Sequence, residues 1–176
     1  MKKSFLVLCF SGIIYFVSAQ PFMGIYGVIG VPEKENYLVD YTAGLQLEVG
    51  YFLFENLSLG GAVNRQWLPS RFSDVVFSEL SLFTTYIITK KLPILPYLGL
   101  STGASQRIVG GTGPSFIIPI TDVSFFAMPS IGLEAGVNAK GLFMDISTGY
   151  KVYHFSEKFY EDLDYFFIKV GGKYKF

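Results

Sequence analysis

The sequence contains little cysteine, histidine or charge, and each shortage excludes a class of function. Of its 176 residues, one is a cysteine and one a histidine, so we expect no disulfide framework, metal site or other cofactor site. Only 16% of residues are charged, and 14 basic residues balance 14 acidic ones. A nucleic-acid partner is not expected, because binding to phosphate backbones requires an excess of Lys and Arg.

The chain also lacks an apolar run long enough to cross a bilayer as a helix. Its longest such run, residues 5–17, falls short of the about 20 residues that a spanning helix needs. Even so, 51% of residues are hydrophobic and the mean hydropathy is +0.41. The hydrophobicity is therefore spread over many short segments, which favours strands and argues against disorder.

Residues 1–19 have the features of a cleaved secretory signal peptide. Lys2 and Lys3 precede the apolar run, and the small residues Ser18 and Ala19 end it. We expect cleavage before Gln20, which leaves residues 20–176 as one exported domain. An uncleaved N-terminal anchor is the alternative, although the run is short for that role.

Hydrophobic residues alternate with small or polar ones along most of the remaining chain. In the clearest example, Leu45, Leu47 and Val49 alternate with Gln46 and Glu48. Such a period of two is typical of strands whose two faces meet different environments. It predicts eight strands, at residues 22–30, 45–53, 57–64, 79–88, 98–104, 131–137, 142–150 and 166–176.

The predicted connections and the composition of the two faces point to a membrane barrel. Connections at 54–56, 89–94 and 138–141 are short, whereas those at 105–122 and 154–162 are longer, as in transmembrane barrels. The less apolar face is rich in Gly and Ser and has too few charges to face water. We therefore predict an all-β, eight-stranded antiparallel transmembrane up-and-down β-barrel with its apolar face towards lipid. A soluble, lipocalin-like barrel is the alternative.

Seven charged residues on the predicted inner face are candidates for internal ion pairs. Because buried charges must pair, we expect an internal salt-bridge network that fills the lumen and leaves no channel. A narrow, porin-like pore through this network is the alternative. The expected network consists of Glu48, Glu79, Glu134, Asp145, Lys151, Lys169 and Lys173.

The C-terminal segment from Ile168 to Phe176 alternates and ends on an aromatic residue. It resembles the terminal strand of bacterial outer-membrane barrels, and Gly50 to Gly61 and Leu95 to Leu100 look like a hairpin and a central strand of small OmpA/OmpX-type domains. The resemblance implies a monomeric, non-enzymatic protein of the bacterial outer membrane with an envelope structural or surface-interaction role. Its implied partners are outer-membrane lipid, lipopolysaccharide and the barrel insertion machinery. An insertion signal formed by Val170, Tyr174 and Phe176 is implied as well, whereas the sequence identifies no partner for the loops.

A His-x-Ser pair follows the seventh predicted strand. It resembles the pair of outer-membrane lipid A deacylases of the PagL type, in which Ser156 would be the nucleophile and His154 the base. Asp164 would take the place of the family's Glu, and Glu157 stands where the family usually has Asn. A loop histidine beside a loop serine explains the pair equally simply, and we expect no deacylation.

Overall fold

The computed structural model describes residues 20–32, 41–68, 73–111, 122–137, 141–154 and 164–176. The predicted signal peptide at 1–19 lies outside this part of the chain. Within the described residues, there is no helix with the length and apolar character needed to cross a membrane.

Eight strands make up almost all of the described chain. Their bounds are β1 (Gln20–Pro32), β2 (Thr42–Phe54), β3 (Leu57–Leu68), β4 (Ser73–Ile87), β5 (Ile94–Gly111), β6 (Asp122–Gly136), β7 (Leu142–His154) and β8 (Tyr165–Lys175). Each strand pairs antiparallel with the next, and β8 pairs with β1, so the sheet closes into a barrel. The predicted fold class, an eight-stranded antiparallel barrel, is confirmed.

The strands are longer than the alternation predicts, most clearly at β5 and β6. The predicted loop at 105–122 is too long, because β5 continues to Gly111 and β6 already begins at Asp122. In the first half of β6, the inward residues Phe126 and Met128 are as apolar as the outward residue Phe125. The hydropathy alternation disappears there although the pleat continues, which explains the error.

One end of the barrel carries the short connections, namely residues 55–56, 88–93 and 137–141, together with Gln20 and Phe176. We call this the turn end. The opposite end carries the longer connections between β1 and β2, β5 and β6, and β7 and β8, and we call it the loop end. The two ends differ as they do in transmembrane barrels, where short turns and long loops lie on opposite sides of the membrane.

The outer surface of the barrel is largely apolar. Leu80, Leu82 and Phe125 are 65%, 66% and 67% exposed, and Leu, Ile and Val are the commonest residues at the other outward positions. Outward aromatic residues lie near the strand ends, with Tyr51 and Tyr86 towards the turn end. Aromatic girdles of this kind mark the two interfaces of a membrane-embedded barrel.

Candidate functional site in the barrel lumen

The inward positions of five strands place the charged side chains inside the barrel. Side chains along each strand point alternately inwards and outwards. In β1, for example, the buried Phe22 and Tyr26 point inwards. Six of the seven predicted network residues are buried, and Lys169 is partly buried. The buried six are Glu48, Glu79, Glu134, Asp145, Lys151 and Lys173.

Towards the loop end, the network is centred on Glu79. Lys151 Nζ donates to Glu79 Oε2 over 2.5 Å, and the side chains of this pair are 1% and 2% exposed. Asn64 Nδ2 donates to the same oxygen over 2.9 Å, and the Tyr153 hydroxyl donates to Oε1. The carboxylate therefore has three donors, which offsets the cost of its burial. We call Glu79, Lys151, Asn64 and Tyr153 the upper network.

Aromatic rings surround the upper network and fill the cross-section of the lumen. Lys151 Nζ lies 4.1 Å from the centroid of the Phe126 ring, and the Tyr153 ring stacks on Phe77 at 5.7 Å. Tyr165 donates its hydroxyl proton to Gln66 Oε1 over 2.6 Å. Because the faces of aromatic rings attract cations, these rings stabilise the Lys151 ammonium group in the absence of water.

Towards the turn end, three carboxylates meet three lysines in what we call the lower network. Lys169 Nζ donates to Glu48 Oε1 over 2.6 Å. Lys173 Nζ bridges Glu134 Oε2 at 2.8 Å and Asp145 Oδ2 at 3.3 Å. Lys175 donates to the second oxygen of Glu134. The formal charges of the network cancel, as buried charges require.

Some members of these networks are not among the residues predicted from the sequence. Lys175 joins the lower network through Glu134, and Tyr97 donates to Asp145 Oδ1 over 2.7 Å. Both share the inward parity of the charged residues, which was the available signal. From the sequence alone, however, an aromatic residue at an inward position is expected only to fill space in the lumen, and a lysine at the end of a strand is expected to be solvated.

Two cavities are associated with the lower network. The smaller, of about 20 Å³, lies beside Glu48 and Lys169 and is lined by Thr84, Tyr97 and Met128 among others. The larger, of about 900 Å³, is an open mouth at the turn end, lined by Phe52, Phe54, Phe143 and Lys175 among others. The smaller cavity is only large enough for about one water molecule.

No family model and no curated protein matches the chain, but solved structures do. Neisserial surface protein A superposes with a TM-score of 0.63 at 14% identity, covering 90% of this chain and 97% of that one. Ail, the outer membrane protein of Yersinia pestis solved in a phospholipid nanodisc, gives 0.51 at 15% identity, covering 90% and 100%. The outer membrane protein AlkL gives 0.51 at 13% identity, covering 90% of each chain.

This chain has the fold of the eight-stranded outer-membrane barrels. At such low identity, the similarity establishes the fold and leaves the activity to the residues of this chain.

In this fold, two residues of the His-x-Ser hypothesis, His154 and Asp164, lie at the loop-end rim. His154 ends β7 with an exposed side chain, and Asp164 immediately precedes β8. One oxygen of Asp164, Oδ1, accepts a hydrogen bond from the backbone N–H of Tyr153 over 3.2 Å. Asp164 thus joins β7 to the start of β8, and Ser156 lies outside the described residues. Among the described residues, no group of three or more His, Cys, Asp or Glu could hold a metal ion.

The residues of the expected insertion signal face outwards along β8. Val170, Tyr174 and Phe176 are 45%, 41% and 63% exposed, and the rings of Tyr174 and Phe176 meet edge to face at 5.0 Å. The last residue is also held by its backbone, since Phe176 N–H donates to the Pro21 carbonyl and Gln20 Nε2 donates to the Phe176 carbonyl. A truncation would remove these bonds together with the ring.

We expect Phe176→Ala to reduce assembly in cells several-fold while leaving the folded barrel almost as stable as before. The substitution removes only a lipid-exposed ring and keeps the backbone bonds to Gln20 and Pro21. Assembly is measured as the amount of folded, membrane-inserted protein, and stability as urea unfolding of refolded protein. Phe166→Ala is the matched control, because Phe166 is 58% exposed on the same strand at the other end. Equal assembly of the two variants would contradict an insertion signal at Phe176.

Proposed function

We propose that this chain is a bacterial outer-membrane protein that crosses the membrane as a closed, non-conducting barrel and acts through its outer surface. It would be exported by cleavage of residues 1–19, inserted by the barrel assembly machinery and remain monomeric. The observation that carries the proposal is the filled lumen, in which the upper and lower networks lie one above the other. An aqueous pore would need accessible polar groups along that path.

The closed lumen is energetically difficult to open. A continuous water path would have to separate Lys151 from Glu79 and displace the rings of Phe126 and Tyr153. Separating a buried ion pair leaves charges without partners at a cost of several kcal/mol. An eight-stranded barrel is only just wide enough for its own side chains, so little room for water is available elsewhere.

A surface role agrees with the apolar exterior and with the proteins that share the fold. The outward Leu, Ile and Val side chains suit lipid, and all eight strands are paired, so no strand edge invites a second subunit. Among the structural relatives are one described as a surface protein and one, Ail of Yersinia pestis, described as the attachment invasion locus protein. In this chain, an envelope or surface-interaction role would use the loop end, which would face the outside of the cell.

Conductance measurements test the closed lumen. The refolded protein, inserted into planar bilayers in KCl, is expected to give no discrete current steps, because the upper network blocks the path. A water-filled porin inserted into the same membranes is the positive control, and a shift in electrophoretic mobility on boiling verifies folding before each experiment. Reproducible current steps would contradict the proposal and favour the narrow pore. Recovery of folded protein without detergent would contradict the membrane assignment.

A further inference from the structure

Arg65 is the only Lys or Arg among the outward-facing strand side chains that the structure describes. The alternation places it on the lipid-facing side of β3, between Val63 and Trp67. Its side chain is exposed, and no carboxylate in the described part of the chain pairs with it. A guanidinium that has no carboxylate partner among the described residues, on a largely apolar wall, is suited to bind an anion from outside the protein.

The strand register aligns Arg65 with polar side chains on the two neighbouring strands, and together they form a polar row. Arg65 lies opposite Ser78 on β4, and Ser78 lies opposite Gln106 on β5. All three side chains point outwards, and the row spans about 10 Å, because neighbouring strands are about 4.8 Å apart. The guanidinium, the hydroxyl and the amide all donate hydrogen bonds, so together they suit a ligand rich in acceptor oxygens.

The depth of this row places it near the loop-end interface of the membrane. Arg65 stands three residues before the end of β3 at Leu68. Trp67, which is 44% exposed, lies between the two on the same face as Arg65. Tryptophan is enriched at the level of the lipid head groups. From just below that level, the long Arg65 side chain can reach up to the head groups, where an arginine is far less costly than at the bilayer midplane.

We propose that Arg65, Ser78 and Gln106 form a binding site for a phosphate group of lipid A, the membrane anchor of lipopolysaccharide. The inference rests on the proposed function, which directs the loop end towards the outer leaflet. Arg65 would bind two phosphate oxygens with its planar fork, and Ser78 and Gln106 would donate to the others. The acyl chains would lie over Val63 and Leu80, which continue the apolar wall below the row.

Trp67 provides a built-in reporter for the test, because it is the single tryptophan of the chain and is close to Arg65 on the same face. The folded, full-length mature protein in dodecyl maltoside, a detergent without phosphate, is titrated with diphosphorylated lipid A while Trp67 emission is followed. Dephosphorylated lipid A, phosphatidylglycerol and inorganic phosphate are titrated in parallel. The variants are Arg65→Gln and Arg65→Lys, and each is first shown to be folded by its mobility shift on boiling.

Lys90→Gln is the matched control, since it also removes one positive charge but lies in the connection at the turn end. We expect Arg65→Gln to bind diphosphorylated lipid A about tenfold more weakly than the wild type, with Arg65→Lys between them and Lys90→Gln unchanged. Dephosphorylated lipid A should bind wild type and Arg65→Gln equally, and inorganic phosphate should not compete at millimolar concentrations.

Several results would overturn the site. Equal affinity of the wild type and Arg65→Gln for diphosphorylated lipid A would show that Arg65 does not take part in the binding site. An equally strong dependence on Arg65 with phosphatidylglycerol would overturn the choice of lipid A. These failures leave the proposed function intact, because membrane insertion and conductance are measured independently. Failure of the wild type to insert into vesicles would instead contradict the proposed function.

Discussion

Replacing Lys151 with methionine should lower the free energy of unfolding by about 3–5 kcal/mol, the usual cost of removing one partner from a buried ion pair. Methionine keeps much of the side-chain length but leaves the Glu79 carboxylate, 2% exposed, without its cation. Asn64 and Tyr153 still donate to Glu79, but they are neutral and cannot balance its charge. The large effect follows because no water can reach the carboxylate in place of the ammonium group.

The measurement is urea unfolding in lipid vesicles, followed by the electrophoretic mobility of the folded barrel. Lys90→Met is the matched control, because Lys90 pairs with Glu55 at 3.8 Å while their side chains are 45% and 93% exposed. Such an exposed pair contributes about 0–1 kcal/mol. Adding Glu79→Gln to Lys151→Met should recover part of the loss by removing the stranded charge. A loss below about 1 kcal/mol for Lys151→Met would mean that the lumen is wet, since only solvated pairs contribute so little.

The fold and the direction of the charged side chains could be predicted because both depend on a local pattern. Shifting a strand by one residue would turn all of its side chains to the opposite face, so the apolar positions of β2 already determine that Glu48 points inwards. The same reasoning places Glu134 and Asp145 on the inner face. Neither prediction needs to know which strands are neighbours.

The partners within the lumen could not be predicted, because they depend on register and strand tilt. Lys151 and Glu79 are 72 residues apart and reach each other across the barrel, from β7 to β4. Their relative height follows from the stagger accumulated between these strands, which no local pattern encodes. The polar row of Arg65, Ser78 and Gln106 is hidden in the sequence for the same reason, since only the register of β3, β4 and β5 aligns these residues.

The closing seam between β1 and β8 depends on a glycine at one inward position. Gly171 lies opposite Tyr26, whose ring covers it inside the lumen. A Cβ at Gly171 would lie 2.1 Å from the Ile25 carbonyl oxygen and 2.6 Å from a carbon of the Tyr26 ring. The next residue, Gly172, faces outwards, and a Cβ there would meet its nearest atom, the Phe143 carbonyl oxygen, at an ordinary 3.7 Å.

Gly171→Ala should therefore destabilise the barrel, whereas Gly172→Ala should not. Overpacking a tight site costs about 1–3 kcal/mol and occasionally more, and we expect the upper part of that range because a backbone oxygen of β1 cannot move without separating the two strands. Gly172→Ala adds the same methyl group to the same strand and should stay within about 0.5 kcal/mol of the wild type. Urea unfolding in vesicles compares the two variants, and the fraction that closes into a heat-modifiable barrel on refolding is a second measure. Equal free energies of unfolding for the two alanine variants would show that the close approach of Tyr26 to Gly171 does not determine the stability of the β1–β8 seam.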